Sequence, residues 1–216
     1  MLTENRELMQ KARTTLKGNW GIAIGATVVF VLISAIAGSP KYLKIIGLII
    51  SGPLTVGYYK MFLSLIRGQE VRFGQLFEGF NSFLNALGAY LLMLIFIILW
   101  SLLLIVPGII AAFSYSLTYF IIADNPDIDA FAALKKSKAM MLGHKWKLFY
   151  LTCRFIWWFL LGIITLGIGF LWIGPYMLAS FSLFYQDLLD NQAVAETPVE
   201  PVRTIPENGA APDASV

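Results

Sequence analysis

The 216-residue chain is 58% hydrophobic and only 13% charged, with a mean hydropathy of +0.72. A soluble domain carries about 25% charged residues, so the composition excludes an ordinary soluble protein and points to an integral membrane protein. The net charge is only +3, but most of the 16 Lys and Arg gather at the feet of apolar segments, the pattern of a cytoplasmic face against anionic lipid. Aromatics sit within the spans rather than along a basic groove, which argues against nucleic acid. Cys153 is the only cysteine, which excludes an intramolecular disulfide framework and a cysteine metal cluster.

Residues 3–17 are predicted to form an amphipathic helix lying at the membrane interface, with Thr3 as N-cap and Leu8, Ala12 and Leu16 as a thin apolar stripe. Residues 18–40 carry no charge and form the first span, with Trp20 as an interfacial anchor. Ala35-Ile36-Ala37 resembles a signal-cleavage site, but the long preceding segment with Glu4 and Glu7 favours a retained span. Lys41 and Lys44 mark the far side. The second span runs over 45–66, broken by Gly52-Pro53, with Lys60 snorkelling to the headgroups. Residues 67–78 form a polar connection from which Phe73, Leu76 and Phe77 dip into the interface.

Residues 79–123 contain no Asp, Glu, Lys, Arg or His. About 20 apolar residues suffice for one helical span, so the run is divided at Pro107-Gly108 into spans over 87–106 and 107–123. Asp124-Asn125-Pro126-Asp127 is a turn-and-cap cluster. It opens a helix over 128–142 on the cytoplasmic leaflet, with Ile128, Phe131, Leu134 and Met141 sharing a face beside Lys135, Lys136 and Lys138. Residues 148–185 hold a single charge, Arg154, and divide at Thr165–Gly169 into spans five and six, with Trp146, Trp157 and Trp158 in an aromatic belt. Residues 191–216 have no apolar face and read as a disordered cytoplasmic tail.

The expected fold is an all-α membrane bundle over 1–190, with six transmembrane helices as three hairpins (about 18–66, 80–123 and 146–189) and interfacial amphipathic helices. Pro53, Pro107 and Pro175 align as an internal repeat. Each is followed by a small residue (Gly57, Ala111, Ala179) and then an aromatic one (Tyr59, Phe113, Phe181). A small residue one turn past a proline lets a neighbouring backbone approach closely. Two spans per unit make the repeats parallel, and the positive-inside rule then places both termini in the cytoplasm.

The stretches WSLLLIVPGIIAAFSYSLTYFIIADNP (100–126), ALKKSKAMMLGHKWKLF (133–149) and GIGFLWIGPYMLASFSLFYQDL (167–188) resemble an uncharacterised bacterial membrane-protein family, domain of unknown function nine-seven-five. They are more distantly similar to the membrane domain attached to some glycerophosphodiester phosphodiesterases. The resemblance covers most of residues 5–190. It implies a six-span protein of the bacterial inner membrane, and it supplies no activity and no catalytic residues.

Ionisable groups at bilayer depth are costly and mark function, and the spans hold few of them. No intramembrane carboxylate is available for proton coupling. Arg154, about 10 Å from Lys147 at helical rise, is expected to reach lipid headgroups, as are Lys135, Lys136, Lys138, Lys145 and Lys147. His144 with Asp124, Asp127 and Asp129 matches no metal-ligand spacing, and the acids read as helix caps. There is no GxSxG, HExxH or phosphate-binding glycine loop. No catalytic residue, cofactor or metal is expected. The leading expectation is a non-enzymatic scaffold or accessory subunit contacting anionic lipid and a partner protein or a second copy of the chain. The alternative is a small-molecule or lipid transporter, which would need Asn81, Asn85, Ser101, Ser114, Tyr115, Ser116 and Thr118 to line one polar cleft.

Overall fold

The computed structural model describes residues 2–37 and 43–196, and all regular structure among them is helical. The elements are α1 (Asn5–Leu16), α2 (Trp20–Ala37), α3 (Leu43–Ile66) and α4 (Gln75–Glu78), which passes through a 3-10 turn (Gly79–Ser82) into α5 (Phe83–Leu103). They continue with α6 (Ile105–Tyr115), α7 (Thr118–Asp124), α8 (Ala130–Met140), α9 (Lys145–Arg154), α10 (Ile156–Ile164) and α11 (Phe170–Glu196). Lys41 and the Lys44 side chain lie outside the described residues, as does the tail beyond Glu196. Residues 191–196, expected in the tail, belong to α11, which ends at Glu196.

Among the described residues, four segments are long and apolar enough to cross a membrane: Ile49–Ile66, Gln75–Leu102, Ile105–Asp124 and Lys145–Ile164. A fifth is added if α1 and α2, bent by 98° at their junction, count as one. The helix α11 is not among them, since its apolar stretch ends at Tyr185 and is followed by Asp187 and Asp190. Four to five candidate spans therefore stand where the sequence predicts six.

The helix α3 is the hub, contacted by α2, α4, α5, α7 and α11. Pro53 does not break it; the helix is continuous from Leu43 to Ile66 with the proline inside. A proline removes one helical hydrogen bond, which a membrane helix tolerates when neighbours pack against it. Gly57 and Gly79 show that packing directly. A Cβ on Gly57 would strike the Leu76 carbonyl, and one on Gly79 the Pro53 carbonyl. The backbones of α3 and the α4 segment touch because neither residue carries a side chain. Leu76, expected at the interface, is consequently 0% exposed. Pro53, Pro175, Ala111 and Ala179 are buried, and Pro107 half-buried.

In several further departures from expectation, side chains read as facing lipid face protein instead. Leu8, Ala12 and Leu16 of α1 are buried, and α1 packs along α11. Thr3 is not the N-cap of α1; that position is Glu4, and Thr3 bonds to Asp187. Lys60 pairs with Glu78 at 2.7 Å instead of snorkelling free. In α8 the buried face is Ala130, Ala133, Leu134, Ser137 and Met140, whereas Phe131 points outward. Asp129 caps this helix through the amides of Phe131 and Ala132.

The span expected over 107–123 begins at Ile105, after the extended residue Leu104, and is interrupted at Ser116-Leu117. Buried backbone groups need partners, and α8 supplies one here. The Leu117 amide donates to Ser137 Oγ at 3.2 Å, and the Ser137 hydroxyl donates to the Ser114 carbonyl at 2.9 Å. Most large exposed apolar side chains lie beyond this packed body, over 94–110 on α5–α6 and over 156–172 on α10–α11.

Candidate functional site

The first polar residue to interrupt α11 after its apolar face is Gln186, and the next, Asp187, gathers three chain segments. The Thr3 amide and hydroxyl both donate to its carboxylate, the hydroxyl at 2.7 Å, and Lys147 Nζ donates at 2.9 Å. Asn5 Nδ2 donates to the Lys147 carbonyl at 2.9 Å, and the ammonium of Lys147 lies over the Phe184 ring. The carboxylate side chain is 10% exposed. Burial pushes its pKa up, but the hydrogen bonds from Thr3 and Lys147 outweigh burial and hold it below the ordinary aspartate value.

Beside this junction, α1 and α9 border an open cleft of ≈ 920 Å³. Arg6, Asn5 and Glu4 contribute from one wall, and Lys147, Arg154, Tyr150 and Trp157 from the other. Lys147 is committed to Asp187, whereas Arg6 and Arg154 are exposed and make no ion pair among the described residues. Asn5 Oδ1 is buried with no hydrogen-bond partner. Cys153 is half-buried and lines the same cleft.

Of the six cations expected at headgroups, the fold brings only Lys147 and Arg154 to this cleft. Lys138 and Lys145 share a smaller pocket with Trp100 and Pro107, and Lys135 and Lys136 stand exposed on α8. Arg6, Asn5 and Glu4 escaped the sequence reading because an amphipathic helix gives no sign of which distant helix it will join.

His144 and the nearby acids are not gathered. Asp124 forms a two-pronged bond with Arg67 (2.6 and 2.8 Å) and accepts from the Tyr185 hydroxyl, while Asp129 caps α8. No group of three or more His, Cys, Asp or Glu that could hold a metal occurs among the described residues.

The Asp187 junction sets a pH dependence. A carboxylate with a depressed folded pKa stabilises fully above its unfolded value, about 3.9, and loses that contribution as pH falls through the lower folded value. Protease resistance of residues 2–16 is expected to hold above about pH 4.5 and to fall away progressively as pH drops below about 3.9. In Asp187→Asn the segment should already be cut readily at pH 7, and equal resistance in the variant would contradict the tether.

A family model matches the chain over residues 1–114 and 102–192. No curated protein and no solved structure matches it. No match to the membrane domain of glycerophosphodiester phosphodiesterases accompanies the family match. With its matched segments reaching from residue 1 to 192, the chain belongs to the family described as "Protein of unknown function (DUF975)".

Proposed function

We propose that the protein is a non-enzymatic scaffold or accessory subunit of the bacterial inner membrane, contacting anionic lipid and a partner protein, with both termini in the cytoplasm. The observation that carries this reading is what the hydroxyl groups of the apolar helices bond to. Ser114 donates to the Ile110 carbonyl, Ser116 to Phe113, Thr118 to Tyr115, Thr55 to Ser51, Ser180 to Tyr176 and Ser182 to Leu178. A carrier needs polar groups turned toward its cargo, and these are turned back on their own helices. Asn85 likewise donates to the Pro126 carbonyl. Asn81 and Ser101 are exposed and Tyr115 packs on Phe96, so the seven residues a transporter would need are not lined up in one cleft.

Purification of the full chain in mild detergent, followed by mass spectrometry, is expected to yield a stoichiometric partner protein. An enriched small molecule with no protein companion would overturn the scaffold in favour of a transporter.

The membrane placement we propose differs from six equal spans at the third hairpin. Thr3 bonds Asp187, while Arg13 lines a pocket with Trp172 and Tyr176. The charged helix α1 therefore follows α11 for about 16 Å at helical rise. Lys11, Arg13 and Lys17 are exposed along it, and Arg154 is exposed just before α10. Burying such charges at mid-bilayer is costly, which leaves to lipid only the hairpin beyond them. There α10 has 9 residues, about 14 Å at helical rise, close to one leaflet of a core about 30 Å thick.

A cysteine at Leu166, 93% exposed at the tip, should resist an impermeant thiol reagent in intact cells and react after detergent solubilisation, in a Cys153→Ser background. Val106 is the matching probe on α5–α6, since a Cβ at the neighbouring Gly108 would meet the Ser101 side chain. Val106→Cys should react from outside, and external labelling of Leu166→Cys would contradict the one-leaflet placement.

A further inference from the structure

We propose that the cleft between α1 and α9 is a binding site for a single anionic phospholipid whose phosphodiester headgroup carries hydroxyl groups. The proposal rests on the reading of the chain as a lipid-contacting membrane protein and assigns that contact to one place and one headgroup chemistry.

Charge comes first. Lys147 is neutralised by Asp187, so the cleft presents the guanidinium groups of Arg6 and Arg154 against the single carboxylate of Glu4. One positive charge is left over, the amount that one phosphodiester cancels. Guanidinium groups grip phosphate oxygens through paired N–H donors, and these two are free to do so because neither has an ion-pair partner among the described residues.

Position distinguishes a lipid from a dissolved anion. The cleft runs from Thr3 and Asn5, at the Asp187 end, to Arg154 and Trp157. Past Arg154 the exposed surface turns apolar through Ile156, Trp157, Leu160, Leu161 and Ile164. A phosphate held at Arg154 would therefore have its acyl chains leaving along α10, as an interfacial tryptophan beside a cation also favours. A free phosphate would gain nothing from that apolar continuation.

The unpaired acceptor narrows the headgroup. Asn5 has its amide nitrogen fixed on the Lys147 carbonyl, which leaves Oδ1 buried without a donor. An unpaired buried acceptor is unfavourable, and a turn of the Asn5 side chain, which lines the cleft, brings Oδ1 to a glycerol-type hydroxyl on the far side of the phosphate. Glu4, in the same wall, accepts a second hydroxyl. A methyl-capped phosphodiester of equal charge has nothing to offer either group.

The test is native mass spectrometry of the full chain released from nanodiscs of phosphatidylcholine doped equally with phosphatidylglycerol and phosphatidylmethanol, two lipids of the same charge. Wild type should retain one phosphatidylglycerol per chain in several-fold preference to either competitor. Arg6→Gln and Arg154→Gln, both exposed positions outside the packed core, should each cut that retention about tenfold, whereas Lys135→Gln with Lys136→Gln should leave it unchanged. Equal retention of phosphatidylmethanol overturns the hydroxyl assignment. Equal loss in the α8 lysine pair overturns the cleft in favour of diffuse surface charge. Displacement of the lipid by millimolar glycerol phosphate, with no preference for the acylated form, overturns a lipid site in favour of a free phosphate one. None of these results touches the search for a partner protein, so the site and the scaffold reading fail separately.

Discussion

The structure depends on one meeting point, where α3, α7 and α11 converge. Tyr59, Phe120 and Tyr185 pack ring on ring, with centroids 4.4 and 5.3 Å apart. Immediately beyond them Arg67, just past the end of α3, takes Asp124 of α7 in both prongs and Gln186 of α11 through Nε, while the Tyr185 hydroxyl closes the set on Asp124. Lipid removes the hydrophobic drive that brings helices together in water, so close packing and polar bonds must do it. Here one arginine ties together three chain segments widely separated in sequence. The docking of α1 on α11, and with it the α1–α9 cleft, presupposes that α11 is already fixed.

From that meeting point the molecule divides along its helices. Nearest it lie the interlocked glycines of α3 and the α4 segment, the Ser137 bridge into the α6–α7 break and the Asp187 junction, all regions of buried side chains. Farther out, α5–α6 and α10 expose leucine, isoleucine and tryptophan to whatever surrounds them. Only 17% of the Gln75–Leu102 segment is buried in the protein, against 61% of Ile49–Ile66. The first therefore turns most of its surface outward and the second is the core of the bundle, although both read as hydrophobic spans.

How much of this was legible follows from the same distinction. The uncharged run over 79–123 announces paired membrane helices, because a bilayer admits little else of that composition. The small residues Gly57, Ala111 and Ala179 are all buried, and at Gly57 the close approach of the Leu76 backbone requires it. The partner of an apolar stripe was not legible: Leu8, Ala12 and Leu16 would serve equally against lipid or against α11. The bond that decides between these joins residues 184 positions apart. Pro53 misled because a proline that ends a helix in water can be carried inside one when neighbours pack around it. In α8 the choice of Phe131 over Ala130 for the buried face is a rotation of one residue, which a single large side chain biases wrongly. The cleft was half visible, through Lys147 and Arg154, because its other wall arrives with α1.

The most direct measurement is a double-mutant cycle on Arg67 and Asp124, read as thermal unfolding of the full chain in detergent. If this pair locks the three helices, Arg67→Gln and Asp124→Asn should each destabilise. The double variant should then be little worse than either alone, with a coupling of about 1–2 kcal/mol. Additive effects with no coupling would mean that the helices are held by apolar packing alone and that the arginine is incidental.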